Sequence, residues 1–480
     1  MGTTTQRLTG LDAAFLALDT EHSTGHVGGV SVFDPSSAPE PLDLERVLRV
    51  YEERLPLVPV LRRRLVSLPW GVDQPYWVDD PDFDLRYHVR EGALPAPGTQ
   101  AQLAAYVARL HERPLDLTRP LWEAYVITGL EGGRVAAYIK IHHAAMDGVS
   151  GNDLIGALMD VDPAGRPLPP ATPWDPPPLP TPWRMVGRAA GDLARRPVEA
   201  ARIAADAARA VPGVLPWAGP LVGRLLGRGS PDGELIEANA GRAPQTPLNQ
   251  DITPHRRLGL ASLSLEQVKT VKAAFGVTVN DVVMAVCAGA IRSWLVRHRG
   301  LPDHPLVAMV PVSIRTARGD GGELGNKVSA MLAQLPTHLA DPVERLRVSH
   351  EATRHAKSQQ AFIPQGLVDE VMSFTAPALM SRGFRAVFGW HVLNRVPMFN
   401  VVISNIPGPQ VPIYFCGATL LAHYPVSIIT DGLALNITVI SYQGELHFGL
   451  LADRKIVPDV DRLAADLQVE LDALLAAAGA

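Results

Sequence analysis

The sequence predicts a mixed α/β protein of two domains, and three of its features carry that prediction. Its 480 residues exceed what one hydrophobic core usually supports. A proline-rich stretch at 162–182 interrupts the chain, and closely spaced prolines exclude helix and sheet there. Strand-like and helix-like patterns alternate on both sides of that stretch. We therefore expect an N-terminal domain at 1–161, a linker and helical strap at 162–250, and a C-terminal domain at 251–480.

In the first half, the pattern of apolar residues changes between two periods. Residues 42–55 and 98–115 have the apolar spacing of amphipathic helices, whereas 28–35 and 134–141 read as strands. Beyond the linker, Ala/Arg-rich helical segments at 184–229 are broken by prolines and carry more arginine than acid. This composition favours a solvated strap across the protein, and the alternative is attachment to anionic lipid.

The second half is predicted to contain helices first and strands afterwards. Ser264 and Gln267 form a capping-box pattern, and a long buried helix is expected to begin after Thr278. Two of the strands are expected to be joined by a turn at Gln443 and Gly444. The predicted strands lie at 306–316, 399–405, 434–442 and 445–453, before a closing amphipathic helix at 460–475.

Composition and charge exclude several classes of function. Hydrophobic residues make up 47% of the chain and charged residues 19%, which is typical of a globular protein. The net charge of −5 and the lack of a basic, aromatic-rich stripe argue against a nucleic-acid partner. Cys287 and Cys416 are the only cysteines, which fits a reducing compartment. No signal peptide is evident and the apolar stretches look too short to span a bilayer, so we expect a cytoplasmic protein.

The segment YIKIHHAAMDGVSG at 138–151 carries the strongest chemical signal. The strand period of two places His143 on the face of Ile139 and Ile141, and His142 on the opposite face. Asp147, four residues after His143, can hold one tautomer of a histidine whose other nitrogen acts as a general base. Gly148 permits a tight exit from the turn.

Three other interpretations of this segment are weaker. A metal site needs a third or fourth protein ligand, and the remaining histidines are scattered, so no metal is expected. A purely structural turn fits poorly with two adjacent histidines, one of them on the apolar side of a strand. A serine or cysteine hydrolase needs a nucleophile elbow, and the sequence contains no G-x-S-x-G. Base catalysis without a protein nucleophile is the interpretation that remains.

The segment HHAAMDG resembles the HHxxxDG signature of the chloramphenicol-acetyltransferase-like, CoA-dependent acyltransferase superfamily. Further segments are similar to the bacterial wax ester synthase/diacylglycerol acyltransferase family. They lie at 11–30, 119–130, 278–285, 311–316 and 400–409, which together extend over nearly the whole chain. The family has Pro-Met before its His-Val-Gly-Gly, whereas this chain has Ser23, Thr24 and Gly25 there.

The resemblance implies two chloramphenicol-acetyltransferase-like domains with the active-site channel at their interface. It implies a long-chain acyl-CoA as substrate and diacylglycerol or a fatty alcohol as acceptor, with no other cofactor. His143 is then the base, and Asp147 is the structural aspartate of the motif, which we expect to pair with Arg315. His142 and Gly148 are expected to support His143.

Other candidate site residues come from the second half. Asn280 is expected near the start of a helix, where free backbone N–H groups and the helix dipole favour a role in stabilising an oxyanion; the alternative is that Asn280 and Asp281 merely cap that helix. Ser404 and Asn405 end a strand at a proline-glycine turn and line the channel or merely form the turn. Trp122 is expected to be a core anchor.

The predicted activity is O-acyl transfer by direct attack of the alcohol, which makes triacylglycerol, wax esters or both, without an acyl-enzyme. The first alternative is a mycolipid- or polyketide-type acyltransferase or a condensation domain, all of which share the histidine motif. The second is a non-catalytic lipid-binding scaffold. Peripheral contact with membranes or lipid droplets is a further expectation.

Overall fold

The fold of this chain is taken from a computed structural model. It describes residues 5–8, 10–17, 19–68, 74–146, 151–168, 174–176, 178–181, 183, 185, 187, 243–314, 327–359 and 397–479. The strands are β1 Gln6–Arg7, β2 His26–Asp34, β3 Arg63–Val66, β4 Tyr76–Asp79, β5 Val89–Ala93, β6 Trp122–Thr128, β7 Val135–His142, β8 Arg256–Ser264, β9 Leu306–Ile314, β10 Lys327–Leu335, β11 Val401–Ile406, β12 Tyr414–Phe415, β13 Ala418–Val426, β14 Leu435–Tyr442 and β15 Glu445–Asp453. The helices are α1 Gly10–Ala17, α2 Leu44–Arg54, α3 Leu85–His88, α4 Gln100–His111, α5 Gly151–Leu158, α6 Leu265–Phe275, α7 Val279–Arg297, α8 Pro342–Gln359 and α9 Val460–Ala478.

The first six-stranded sheet has the order β12-β13-β2-β7-β6-β5. Its central pair, β2 and β7, is antiparallel, and His26 lies directly opposite His142. Helices α2 and α5 belong to the core on one face of this sheet, and α4 belongs to the core on the other. The fold thereby buries both faces of β7.

The second six-stranded sheet has the order β10-β9-β11-β14-β15-β8. β11 is parallel to both of its neighbours, and all other pairs in this sheet are antiparallel. Helices α6, α7, α8 and α9 share the largest buried core with this sheet. A separate three-stranded sheet, β1-β4-β3, completes the architecture of the described residues.

One segment from the second half of the chain belongs to the first sheet. Residues 414–426 fall in the predicted C-terminal domain, yet β12 and β13 are strands of the first sheet. β13 also packs against β15, where Gly449 has no side chain and a Cβ there would lie 1.7 Å from the carbonyl oxygen of Pro425. The two sheets are therefore interlocked, and the division at 161 and 251 stays a prediction.

Most local predictions are confirmed in the second half. The hairpin between β14 and β15 turns at Gln443 and Gly444, both with positive φ, at 43° and 83°. Ser264 accepts a hydrogen bond from the Gln267 backbone N–H and caps α6. Thr278 caps α7, which runs to Arg297.

The prediction that His143 continues the alternation of β7 is wrong. The strand ends at His142, and His143 begins a 3₁₀ turn that extends to Met146, so strand parity does not set the direction of its side chain. The face of Tyr138 and Lys140 is fully buried, whereas the face of Ile139 is only partly buried. Burial of the polar face is tolerated because the Lys140 Nζ donates to the backbone oxygens of Leu110 and Arg113 and pairs with Glu123.

Trp122 is a core anchor, as predicted. It is 1% exposed, and its ring N–H donates to the backbone oxygen of Leu61 over 2.7 Å. Its indole also stacks between Tyr51 and His88. Most of the predicted strap, 188–242, lies outside the described residues.

Among the described helices, α7 is long and apolar enough to span a bilayer, contrary to the expectation that every apolar stretch is too short. However, 72% of its apolar window is buried inside the protein. α7 is therefore the central helix of the second core.

Candidate active site

The two histidines of the motif are held by different partners. The Nδ1 of His142 accepts a hydrogen bond from the Ala144 backbone N–H over 3.1 Å, so its proton resides on Nε2. That Nε2 lies 3.3 Å from a carboxylate oxygen of Asp19. His142 is 1% exposed and is therefore a supporting group behind the turn.

His143 is the partly exposed member of the pair. Its backbone N–H donates to the Gly25 carbonyl over 2.8 Å, and its ring stacks on the Phe15 ring with centroids 3.7 Å apart. The ring Nδ1 is buried and has no hydrogen-bond partner among the described residues. Two contacts outside the motif, with Gly25 and Phe15, thus determine the position of the imidazole.

Gly25 permits this close packing. A Cβ at Gly25 would lie 2.8 Å from the Phe15 carbonyl oxygen and 2.9 Å from the Nε2 of His142. Its backbone N–H is bound by the Asp19 carboxylate. The absence of a side chain lets α1, the segment before β2 and the histidine turn approach one another closely.

Burial sets the protonation state of His143. Desolvation, with a smaller contribution from His142, lowers its pKa from 6.5 to about 4. The pKa of His26, opposite His142 on β2, is also well below its usual value, mainly because of burial. At neutral pH the His143 imidazole is uncharged and can accept a proton.

The second half contributes a cluster of amides. Asn280 is the second residue of α7, and its side-chain oxygen accepts a hydrogen bond from the Asn405 amide over 3.3 Å. Ser404 precedes Asn405 on β11, and both are half-buried. The structure therefore brings Asn280 and Asn405 together, although they are 125 positions apart in the chain.

Of the two roles weighed for the start of α7, capping belongs to Thr278 and Asp281. Thr278 and Asp281 form the cap together: the Thr278 hydroxyl accepts from the Asp281 backbone N–H, and the Asp281 carboxylate accepts from the backbone N–H and the hydroxyl of Thr278. The same carboxylate is bound by His350 and Thr353 of α8, and these hydrogen bonds lower its pKa against the effect of burial. The Asn280 amide is consequently left out of the cap.

Three of the predicted site residues, Asp147, Gly148 and Arg315, lie outside the described residues, so their pairing stays a prediction. Two contacts that matter, from Asp19 and Phe15, were not predicted residue by residue. Their only signal is that both fall within the segment 11–30. Among the described residues, no three His, Cys, Asp or Glu side chains are grouped so that they could hold a metal ion.

Comparisons with known proteins agree with this geometry. The profile of the wax ester synthase/diacylglycerol acyltransferase catalytic domain matches residues 8–283, and that of the family's C-terminal domain matches 324–475. The chain belongs to this family. Its catalytic-domain profile continues through the predicted linker and includes Asn280.

Relatives of similar length are found among bacterial acyltransferases. A putative diacylglycerol O-acyltransferase of Mycobacterium tuberculosis is 38% identical over 471 residues, which cover 98% of this chain and 99% of that protein. The O-acyltransferase WSD of Acinetobacter baylyi is 34% identical, and the match covers 96% of this chain and 95% of the relative.

Solved structures confirm the fold. The wax ester synthase/diacylglycerol acyltransferase from Marinobacter aquaeolei VT8 matches with a TM-score of 0.69 and 31% identity, over 99% of this chain and 100% of that chain. The first condensation domain of the calcium-dependent antibiotic synthetase matches with a TM-score of 0.53 and 18% identity, over 100% of this chain and 98% of that one. The second likeness concerns the fold alone, and the two-domain, acetyltransferase-like architecture predicted from the sequence is confirmed.

The lowered pKa of His143 predicts an unusual pH profile. Because its folded pKa is about 4, kcat/KM should stay level between pH 7.5 and 5.5. A base with the ordinary pKa of about 6.5 would lose about tenfold over that range. The measurement is kcat/KM against pH. Buried neutral histidines lower the free energy of unfolding as pH falls from about 6.5 toward 4, so circular dichroism at each pH shows whether the protein is still folded. A tenfold fall in a folded sample would contradict the assignment of the base.

Because the Phe15 ring stacks on His143, we expect Phe15 to keep the pH profile of kcat/KM level. Phe15→Ala should admit water to His143, raise its pKa and make kcat/KM fall by several-fold, and at most about tenfold, between pH 7.5 and 5.5. Phe15→Tyr keeps the ring and should keep the level profile. Phe275→Ala, in the second core, is the matched control that loses packing without touching the site. If Phe15→Ala and Phe275→Ala give the same pH profile, Phe15 has no role in lowering the pKa of His143.

Proposed function

We propose that this protein is an acyl-CoA-dependent O-acyltransferase that makes triacylglycerol from diacylglycerol, wax esters from fatty alcohols, or both. One observation carries the proposal: His143, the second histidine of HHxxxDG, opens the turn after β7, where the Gly25 carbonyl binds its backbone N–H and the Phe15 ring stacks on its imidazole. The names of relatives support the substrate class, because they are called diacylglycerol O-acyltransferase and wax ester synthase. Acyl-CoA is the donor substrate, and neither a cofactor nor a metal is part of the proposal.

The reaction balances with His143 as the only proton carrier. The alcohol hydroxyl transfers its proton to the imidazole as its oxygen bonds to the thioester carbonyl carbon. Collapse of the tetrahedral intermediate breaks the C–S bond, and the imidazolium returns the proton to the CoA thiolate. Asn280, with the free N–H groups at the start of α7, is proposed to stabilise the oxyanion, and Asn405 orients its amide.

Direct transfer is favoured over an acyl-enzyme. No serine or cysteine side chain is hydrogen-bonded to His143 among the described residues. Cys287 and Cys416 are buried, and burial raises the pKa of each thiol to about 12, which keeps both protonated. Nothing in the described site therefore provides an activated nucleophile other than the bound alcohol.

Asp147 and Arg315 are proposed to form an ion pair that braces the histidine turn, as the family resemblance implies. The protein is proposed to act in the cytoplasm, where its two free thiols would persist. Peripheral contact with a membrane or lipid droplet is proposed as well, and the exposed indole of Trp183, at the start of the strap, supports it.

The activity is tested with purified protein, palmitoyl-CoA, and either diacylglycerol or hexadecanol. We expect triacylglycerol or wax ester on thin-layer chromatography, and no burst of CoA when the alcohol is omitted. His143→Ala should lose about 10² to 10⁴-fold in rate while melting like the wild type. The condensation-domain and lipid-binding alternatives require that neither ester forms, and that result would reject the proposal.

A separate prediction concerns the oxyanion. Asn280→Ala should raise the activation free energy that kcat reports by about 3 kcal/mol, with little change in KM, because the amide acts only once negative charge develops. Asn280→Asp is a near-isosteric comparison that removes the donor and adds a negative charge, and it should be at least as poor. Thr270→Ala, on the exposed surface of α6, is the control. A wild-type kcat in Asn280→Ala would leave the residue without a catalytic role.

A further inference from the structure

An apolar cavity of about 110 Å³ lies on the face of the first sheet that α2 and α5 cover. Its floor is formed by side chains of β2, β7 and β6, and its roof by Val47 and Tyr51 of α2 and by Leu154 of α5. The cavity is therefore bordered by the first sheet and its covering helices, and its lining includes Phe415 and His423 from the second half of the chain.

The cavity begins beside the catalytic turn. Met146, the last residue of the 3₁₀ turn that His143 opens, is one of its walls. Val27 and Ile141, which face each other across β2 and β7, form the adjoining floor. A chain that enters from the reacting carbonyl at His143 reaches this end first.

Small residues keep the floor open along the strands. Gly29 lies opposite Ile139, and Ser31 lies opposite Ala137, farther from the turn. A Cβ at Gly29 would lie 2.5 Å from the ring of His423, so glycine is needed for that ring to lie over the strand. From Val27 to Ser31 the floor extends for about 13 Å at the usual rise of a strand.

The polar groups at the far end of the cavity are hydrogen-bonded to each other. The Ser31 hydroxyl is hydrogen-bonded to the Nδ1 of His423 over 2.9 Å, and burial lowers the pKa of His423 to about 4, so the pair is uncharged. Phe415 of β12 forms the last wall and contacts Phe33 beyond Ser31. The cavity thus suits one unbranched hydrocarbon chain with no charge along it.

We infer that this cavity binds the fatty acyl chain of the donor, with the thioester at His143 and the methyl end near Ala137 and Phe415. The inference rests on the proposed function. A single narrow space suits the acyl donor, which carries one chain in both triacylglycerol and wax ester synthesis, better than diacylglycerol, which carries two. Met146 and Met159 line the space and can adapt to chains of different length.

Two substitutions at the far end should shift chain-length preference in opposite directions. Ala137→Leu fills the floor and should lower kcat/KM for palmitoyl-CoA relative to octanoyl-CoA by about 100-fold, the effect of three or four displaced methylene groups. Phe415→Leu shortens the end wall and should raise the preference for acyl chains longer than palmitoyl. A shared loss of stability cannot produce both shifts.

The assay varies one chain at a time. Acyl-CoA from octanoyl to eicosanoyl is tested with hexadecanol fixed, and alcohols of the same lengths are tested with octanoyl-CoA fixed. Gly156→Leu adds the same bulk on the exposed surface of α5, where an added Cβ meets nothing within 4 Å, and should keep the wild-type profile. Ester formation from octanoyl-CoA by the wild-type protein tests the proposed function independently of the cavity.

The outcomes separate the occupants. An acyl-length shift in Ala137→Leu with an unchanged alcohol profile supports the inference. A shift confined to the alcohol series would assign the cavity to the acceptor, and parallel profiles in both series would show that no substrate chain enters it. Either of these last two results overturns the inference while leaving O-acyl transfer intact.

Discussion

The antiparallel pairing of β2 with its two neighbours is the constraint on which the rest of the structure depends. On one side β2 pairs with β7, which places His26 opposite His142 and brings the Gly25 carbonyl to the backbone of His143. On its other side β2 pairs with β13, which brings His423 against Ser31. A shift of one residue in either register would turn every side chain of the shifted strand to the opposite face, and so would remove the base and the cavity together.

β7 separates two environments of opposite character. Its face toward α2 and α5 borders an apolar cavity, whereas its face toward α4 carries buried polar groups that are individually bonded. Lys140 binds carbonyl oxygens at and beyond the end of α4, where the helix dipole favours a cation. His111 of α4 bonds to the Tyr138 hydroxyl and to the backbone oxygen of Ser427, next to β13. These hydrogen bonds hold β7 in place on its α4 side. Packing on the opposite side, toward the cavity, can therefore stay loose enough to admit a hydrocarbon chain.

Local pattern alone predicted much of the fold but only part of the site. The hairpin at Gln443 and Gly444 and the start of α7 at Thr278 follow from turn and capping chemistry, which acts within a few residues. The direction of His143 did not follow, because the strand ends one residue earlier than its alternating pattern suggests. The ties from Asp19 and Phe15, and the meeting of Asn280 with Asn405, depend on contacts between segments far apart in sequence, which no periodicity encodes.

The membership of β13 in the first sheet has a consequence for biosynthesis. Ser31 and His423 are 392 positions apart, so during translation β2 leaves the ribosome long before the strand that covers its edge. Until β13 is made, the edge of β2 that it covers is unpaired and exposed to other nascent chains. Pairing between strands so far apart in sequence is also slow. Vectorial folding can complete the first sheet only when almost the whole polypeptide has been made. The strand that interlocks the two sheets also ensures that neither half can be excised or exchanged as an independent module.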